Sequence, residues 1–185
     1  EGMGLSGSLH FVDMWQRHEQ KYGKINSMLN FDMVGRYVKD MSVMGIDSSL
    51  EVKSVLGELN SKINMTLKAH AVGSSDHASF INKKIPSLFF TTGAHEDYHT
   101  SSDTSEKINF TAMHHLSNYA LGLVKKIDKL SSINFNPNYS SGEDSGRSRG
   151  YGAHLGCVPE FGQSDDIIGV QCVRSSDGSP AQKAG

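Results

Sequence analysis

The chain has 185 residues, of which 37% are hydrophobic and 21% charged, a balance that supports a buried core and excludes wholesale disorder. Eighteen Lys and Arg against twenty Asp and Glu leave a formal charge of -2. With no basic run, neither nucleic acid nor an anionic membrane surface is an expected partner. No apolar run reaches the roughly 18 residues that span a bilayer, so no membrane span is expected. The sequence begins at Glu1 and stops at Ala184-Gly185 within what reads as a structured segment. It is therefore read as a piece of a longer protein.

In chain order, Ser8 is placed to cap a helix carrying Leu9, Val12, Met14 and Trp15 at helical spacing. Residues 25–35 form a short apolar run closed by Gly35 and Arg36, which suits a strand buried on both faces. Val43 to Ile46 reads as a strand, and Ser48 to Asn64 as a helix presenting Leu50, Val55, Leu56, Leu59 and Ile63. Met65 to His70 is a further strand, Ser75 to Asn82 one or two helical turns, and Ile85 to Gly93 an apolar strand begun by Pro86. From Phe110 to Leu130 the apolar positions recur at helical intervals, and Lys125, Lys126 and Lys129 gather where a helix C-terminus favours cations.

Strands alternating with helices predict an α/β three-layer sandwich with a mixed, mostly parallel sheet. Residues 131–150, rich in Ser, Asn and Gly, read as a linker. Beyond it, 151–158 and 167–173 read as two short strands of a second, incomplete, β-rich unit. Cys157 and Cys172 are too few for a disulfide framework and lack the partners of a zinc finger, which leaves the redox compartment open.

Two clusters carry chemistry. Asp32 is the one charge in an apolar strand, and a carboxylate there needs a hydrogen bond, an ion partner or a metal. It is either a strand-end carboxylate bonded to loop backbone or a ligand, and ligands in open α/β sheets gather at the C-terminal ends of strands. His95-Glu96-Asp97-Tyr98-His99 matches the H-E-x-x-H pattern of helical zinc sites. Its place after a strand and Gly93, and before a Thr/Ser-rich loop, argues against a helix, though one histidine can still bind metal from a loop. A third cluster, Gly73 to Phe80 with Asp76 and His77, reads as a helix N-terminus or as part of a site.

Taken in order, Glu1 to Ser8, Asn30 to Arg36, Ser75 to Phe80, and Thr92 to Thr104 with Glu106 to Asn109 resemble the co-catalytic dizinc aminopeptidases, family 28 of the metallopeptidases. The resemblance spans residues 1–130 and implies the zinc exopeptidase fold. It also implies two zinc ions in the full-length domain, peptide substrates with a free N-terminus, and hydrolysis of the N-terminal bond by a metal-activated water. By the same resemblance Asp32 and His99 are metal ligands, Glu1 is the general base and Tyr98 steadies the oxyanion. Asp76 and His77 stand behind the ligands. His95 and Asp103 belong to the loop pattern without an assigned role.

Aligned on Gly4-Leu5, the family's second glutamate, a metal ligand, falls on Gly2. Either that glutamate is replaced, or the pair lies before this chain with one residue inserted. The remaining ligands are expected upstream of Glu1, so these residues alone are not expected to form an active dizinc site. A catalytically inactive relative serving as a peptide- or protein-binding module, and a single-zinc aminoacyl cyclase, are the alternatives. Residues 151–185 resemble the first half of a PDZ domain, with His154 to Cys157 at the carboxylate-binding loop, which implies a C-terminal peptide as a further partner. The family also implies a periplasmic or secreted location.

Overall fold

The computed structural model describes residues 5–71, 75–140, 155–159, 168–169, 171–175 and 179–184. The chain opens with α1 (Ser6–Arg17) and the short α2 (Glu19–Tyr22), followed by β1 (Met28–Phe31), β2 (Met41–Met44) and a 3-10 turn at Ile46–Ser48. Next come α3 (Leu50–Gly57), β3 (Met65–Lys68), α4 (His77–Ile81), β4 (Ser87–Thr91), a second 3-10 turn at Ser105–Lys107 and α5 (Phe110–Ile127). The four strands form one sheet in the order β1-β4-β2-β3. β1 runs parallel to β4 and β2 parallel to β3, while β2 and β4 are antiparallel, so the sheet is mixed and mostly parallel as expected.

Alternation along the central strands divides the core between two faces. Met41, Val43, Leu88 and Phe90 point to one face and pack with Val52, Val55 and Leu56 of α3 and with Leu116, Tyr119, Leu123 and Ile127 of α5. Met44 and Phe89 point to the other, where Ala71, Ile81 and Tyr139 cover them. Val12 of α1 packs beside Phe80 and Ile85. Helices thus cover both faces of the sheet, the three-layer arrangement.

α5 matches its sequence pattern most closely. Ala112, Leu116, Tyr119, Leu123 and Ile127 form its buried stripe, and the Asn109 side chain caps it by accepting from Ala112 N. Burying each of Leu116, Leu123 and Ile127 is worth roughly 2 kcal/mol.

Several expectations are corrected. Ser8 does not cap α1; Leu5 stands at the N-cap, and the buried Ser8 hydroxyl bonds to Leu5 O at 3.2 Å and Ser79 Oγ at 2.9 Å. Its buried face is Ser8 and Val12, one turn apart, while Leu9 and Phe11 lie exposed. β1 is not buried on both faces: at the sheet edge, only Asn30 of its four residues is buried. The helix expected from Ser48 to Asn64 is shorter, because the Ser49 hydroxyl caps it at Val52 N and it ends at Gly57, which leaves Leu50 exposed. Ile63 is buried from a loop closed by Ser61 instead.

Residues 131–140, within the stretch read as a linker, pack on the domain. Asn136 N donates to Ser48 O at 2.8 Å, the Tyr139 hydroxyl accepts from Ala71 N at 2.8 Å, and Ile133 and Tyr139 are buried. Residues 141–150 lie outside the described residues. Farther on, β5 (Cys157–Pro159) and β6 (Cys172–Ser175) pair antiparallel, followed by α6 (Pro180–Ala184). Cys157 and Cys172 form a disulfide with Cα atoms 5.7 Å apart. Spacing alone leaves this pair open, because it does not reveal that the two strands carrying the cysteines pair side by side.

Candidate active site

Because β1 and β4 are parallel neighbours, their C-terminal ends lie side by side, and the two chemistry-bearing loops leave the sheet together. Asp32 follows β1 directly. Its backbone N–H donates to Phe90 O at 3.1 Å, extending the ladder by one bond, and its carboxylate is exposed to solvent. The next residue, Met33, has φ 54°, a left-handed conformation that costs of order 1–3 kcal/mol for a side chain of this kind. Thr92, just past β4, holds it there, since both its N–H and its hydroxyl donate to Met33 O.

The Asp32 carboxylate is set by a chain of polar groups from β1 and the start of α4. Ser75 Oγ donates to Asp32 Oδ2 at 2.7 Å, and Asn30 Nδ2 donates to Ser75 Oγ at 2.8 Å. The same amide lies 3.3 Å from His77 Nδ1. Since an amide NH2 only donates, His77 Nδ1 accepts and the neutral ring carries its proton on Nε2. His77 is fully buried and stacked on Phe89 at 4.4 Å between centroids. Burial pushes its pKa down to about 4, against the opposing pull of Asp32 and Asp76. Asp76 occupies the N-cap position of α4 without a side-chain cap bond.

After β4 the chain turns through Gly93 into the His95–His99 segment, which is a run of turns and not a helix, as its context indicates. Tyr98 and His99 stack at 3.9 Å between centroids. His99 has φ 57°, held by Thr100, whose N–H and hydroxyl both donate to Asp97 O. The Tyr98 phenol is raised above its ordinary pKa by burial first and by the negative charge of Asp32 second. The two sequence clusters lie on loops that leave the same end of the sheet, Asp32 just after β1 and Tyr98 in the turns after β4. His95 Nδ1 is buried without a hydrogen-bond partner, and its Nε2 lies 3.9 Å from Asp103 Oδ2.

Sequence reasoning passes over Asn30, Ser75, Arg36, Asp97 and Lys107. Asp97 is buried and takes hydrogen bonds from Arg36, Lys107 and Ser102, which hold its carboxyl far below the usual range, the Lys107 bond counting most. The one signal for them is position: Arg36 and Asp97 stand four residues and one residue from Asp32 and Tyr98. Glu1 and Gly2 lie outside the described residues.

Imidazole and carboxylate are donor types that zinc takes, and His99 and Asp32 are both exposed at the strand ends. Their chemistry suits a metal, but their number does not complete a site. Among the described residues, no group of three or more His, Cys, Asp or Glu is placed to hold a metal ion.

The family model of peptidase family M28 matches residues 1–124. The chain belongs to peptidase family M28. Solved structures agree on the M28 fold. The LapA aminopeptidase of Legionella pneumophila matches at TM-score 0.55 and 26% identity, over 68% of this chain and 37% of that one. BSAP, a zinc aminopeptidase from Bacillus subtilis, matches at TM-score 0.53 and 23% identity, over 73% and 36%. An aminopeptidase from Aneurinibacillus sp. strain AM-1 matches at 0.53 and 23%, over 72% and 31%. The chain therefore spans about a third of the length of the structures it matches. No curated protein matches it.

Proposed function

We propose that this M28 chain is part of a zinc-dependent aminopeptidase that hydrolyses the N-terminal bond of peptides. The observation that supports the reading is that Asp32 and the stacked Tyr98–His99 pair lie on the two loops that follow adjacent parallel strands at the same end of the sheet. Asp32 and His99 are the ligands this segment contributes to zinc, and the others come from outside the described residues, with Glu1 as general base. When bound, zinc supplies Lewis-acid polarisation of the scissile carbonyl and an acidified water.

The chain's own residues then have separable tasks. Ser75, itself bonded to Asn30, orients the Asp32 carboxylate and leaves its other oxygen for a ligand. Buried and neutral, His77 accepts the second amide hydrogen of Asn30 and so fixes the direction of that chain. With its pKa raised, Tyr98 keeps its proton at neutral pH and can donate a hydrogen bond to a developing oxyanion, which such donors stabilise more than the ground-state carbonyl.

Residues 151–185 we read as the first half of a PDZ-like domain that takes a C-terminal peptide, and the Cys157–Cys172 disulfide favours a periplasmic or secreted location. Among the described residues, no helix is long and apolar enough to cross a membrane. Gly2, where the family carries a glutamate, favours a second reading as a catalytically inactive relative. Incubating the full-length protein with peptides bearing free or acetylated N-termini separates the two. Chelator-sensitive release of the first residue from the free peptides alone is the expected result; no release with zinc restored would establish the inactive reading.

A further inference from the structure

The loops that follow β1 and β4 are joined by one cluster of opposite charges. Arg36 Nη2 donates to Asp97 Oδ2 at 2.8 Å and to Asp103 Oδ1 at 2.7 Å. Asp97 also receives Lys107 Nζ at 2.6 Å and Ser102 Oγ at 2.8 Å. Two carboxylates thus meet two cations. The Asp97 side chain is only 12% exposed, and a carboxylate so enclosed is costly without such partners. It is thereby confined to one position. The backbone of the same residue closes the turn in which His99 takes its left-handed conformation, through both bonds from Thr100 to Asp97 O. Asp97 thus ties the geometry of Tyr98 and His99 to Arg36, and Arg36 belongs to the loop that carries Asp32.

We propose that Arg36 is a positioning residue: through Asp97 and Asp103 it fixes Tyr98 and His99 relative to Asp32. This rests on the aminopeptidase reading. A planar guanidinium binds two carboxylates in one defined geometry, whereas a lysine ammonium keeps the charge without the plane. An ion pair that only stabilised the fold would change melting temperature and leave turnover per folded molecule alone.

The test uses the full-length protein with zinc in excess, comparing Arg36→Met, Arg36→Lys and the wild type. Changes to groups that orient an active site cost on the order of 10–100-fold. Arg36→Met is therefore expected to lose about that much in kcat with KM within twofold, and Arg36→Lys to recover only part of it. Amide exchange across residues 97–104 is expected to quicken about tenfold or more in Arg36→Met, as a local opening would require. Unchanged kcat per folded molecule, or a drop fully restored by lysine, would overturn the proposal. Should the wild type itself release no N-terminal residue, the aminopeptidase reading falls, and amide exchange alone decides whether Arg36 orders the loop. If Arg36→Met does not fold, Asp103→Asn, which removes the more exposed of the two bridged carboxylates, is read in the same way.

Discussion

His77 makes stability depend on pH between its unfolded and its folded pKa. Its folded pKa is depressed from 6.5 to about 4, chiefly by burial against Phe89. A histidine kept neutral in the folded state binds its proton more readily when unfolded, so its contribution is complete above the unfolded value and is lost as pH falls toward the folded one. The difference between 6.5 and about 4 corresponds to about 3 kcal/mol at roughly 1.36 kcal/mol for each tenfold change in proton affinity. Integrated over pH, about 2 kcal/mol is already gone at pH 5 and about 3 kcal/mol at pH 4. Glu51, held at about 2 by hydrogen bonds from Asn134 and Ser49, adds its own loss only below its ordinary value of 4.5. Between pH 6.5 and 5 the Glu51 contribution is nearly constant, and comparison with a His77 variant isolates the His77 part. Urea unfolding at pH 7 and pH 5, for the wild type and His77→Asn, reads the difference within each protein, so the variant's own loss of packing cancels. The wild type should lose about 2 kcal/mol more than the variant between the two pH values. Equal losses in both proteins would refute the assignment of a depressed, buried His77.

Two further outcomes follow from the geometry. Gly45 has φ 83°, and a Cβ built there would lie 2.5 Å from the backbone oxygen of Ser87. Gly45→Ala is therefore expected to cost about 3 kcal/mol or more in thermal or urea unfolding, through strain that no flexible side chain can relieve, whereas Gly57→Ala, with open space around it, should cost nothing or stabilise. Tyr98→Phe keeps the ring that stacks on His99 and removes the donor. Its kcat should fall by roughly 10²–10³-fold with zinc content unchanged, and steady-state kinetics showing an unaltered kcat would exclude an oxyanion role.

Elements whose local signals agree are legible in the sequence alone. α5 has a continuous apolar stripe and a basic end, and it starts at Phe110, where those signals place it. β4, buried throughout, also reads directly from the apolar run Leu88-Phe89-Phe90 at its centre. Where the signals are ambiguous, tertiary contacts decide. Ser8 is a good cap residue, yet its hydroxyl meets Ser79, 71 positions away, and no local pattern reveals such a partner. Leu50 and Leu9 fit an apolar periodicity but sit where no second element covers them. Within the candidate site, Asp32 stands out in the sequence because a charge in an apolar strand is costly, and Tyr98–His99 because the loop pattern resembles the family's. Arg36, Asp97 and Lys107 escape notice because charged residues in a polar loop look like solvated surface until their mutual distances are known.

The central claim, that Asp32 and His99 bind catalytic zinc, is tested most directly by zinc content per chain in the full-length protein. It should be measured by elemental analysis after dialysis against a weak chelator, for the wild type and His99→Ala side by side. The account predicts two zinc ions in the wild type, with at least one lost, together with N-terminal residue release, in His99→Ala. A wild type without zinc, or a His99→Ala protein that keeps both its zinc and its activity, would contradict it.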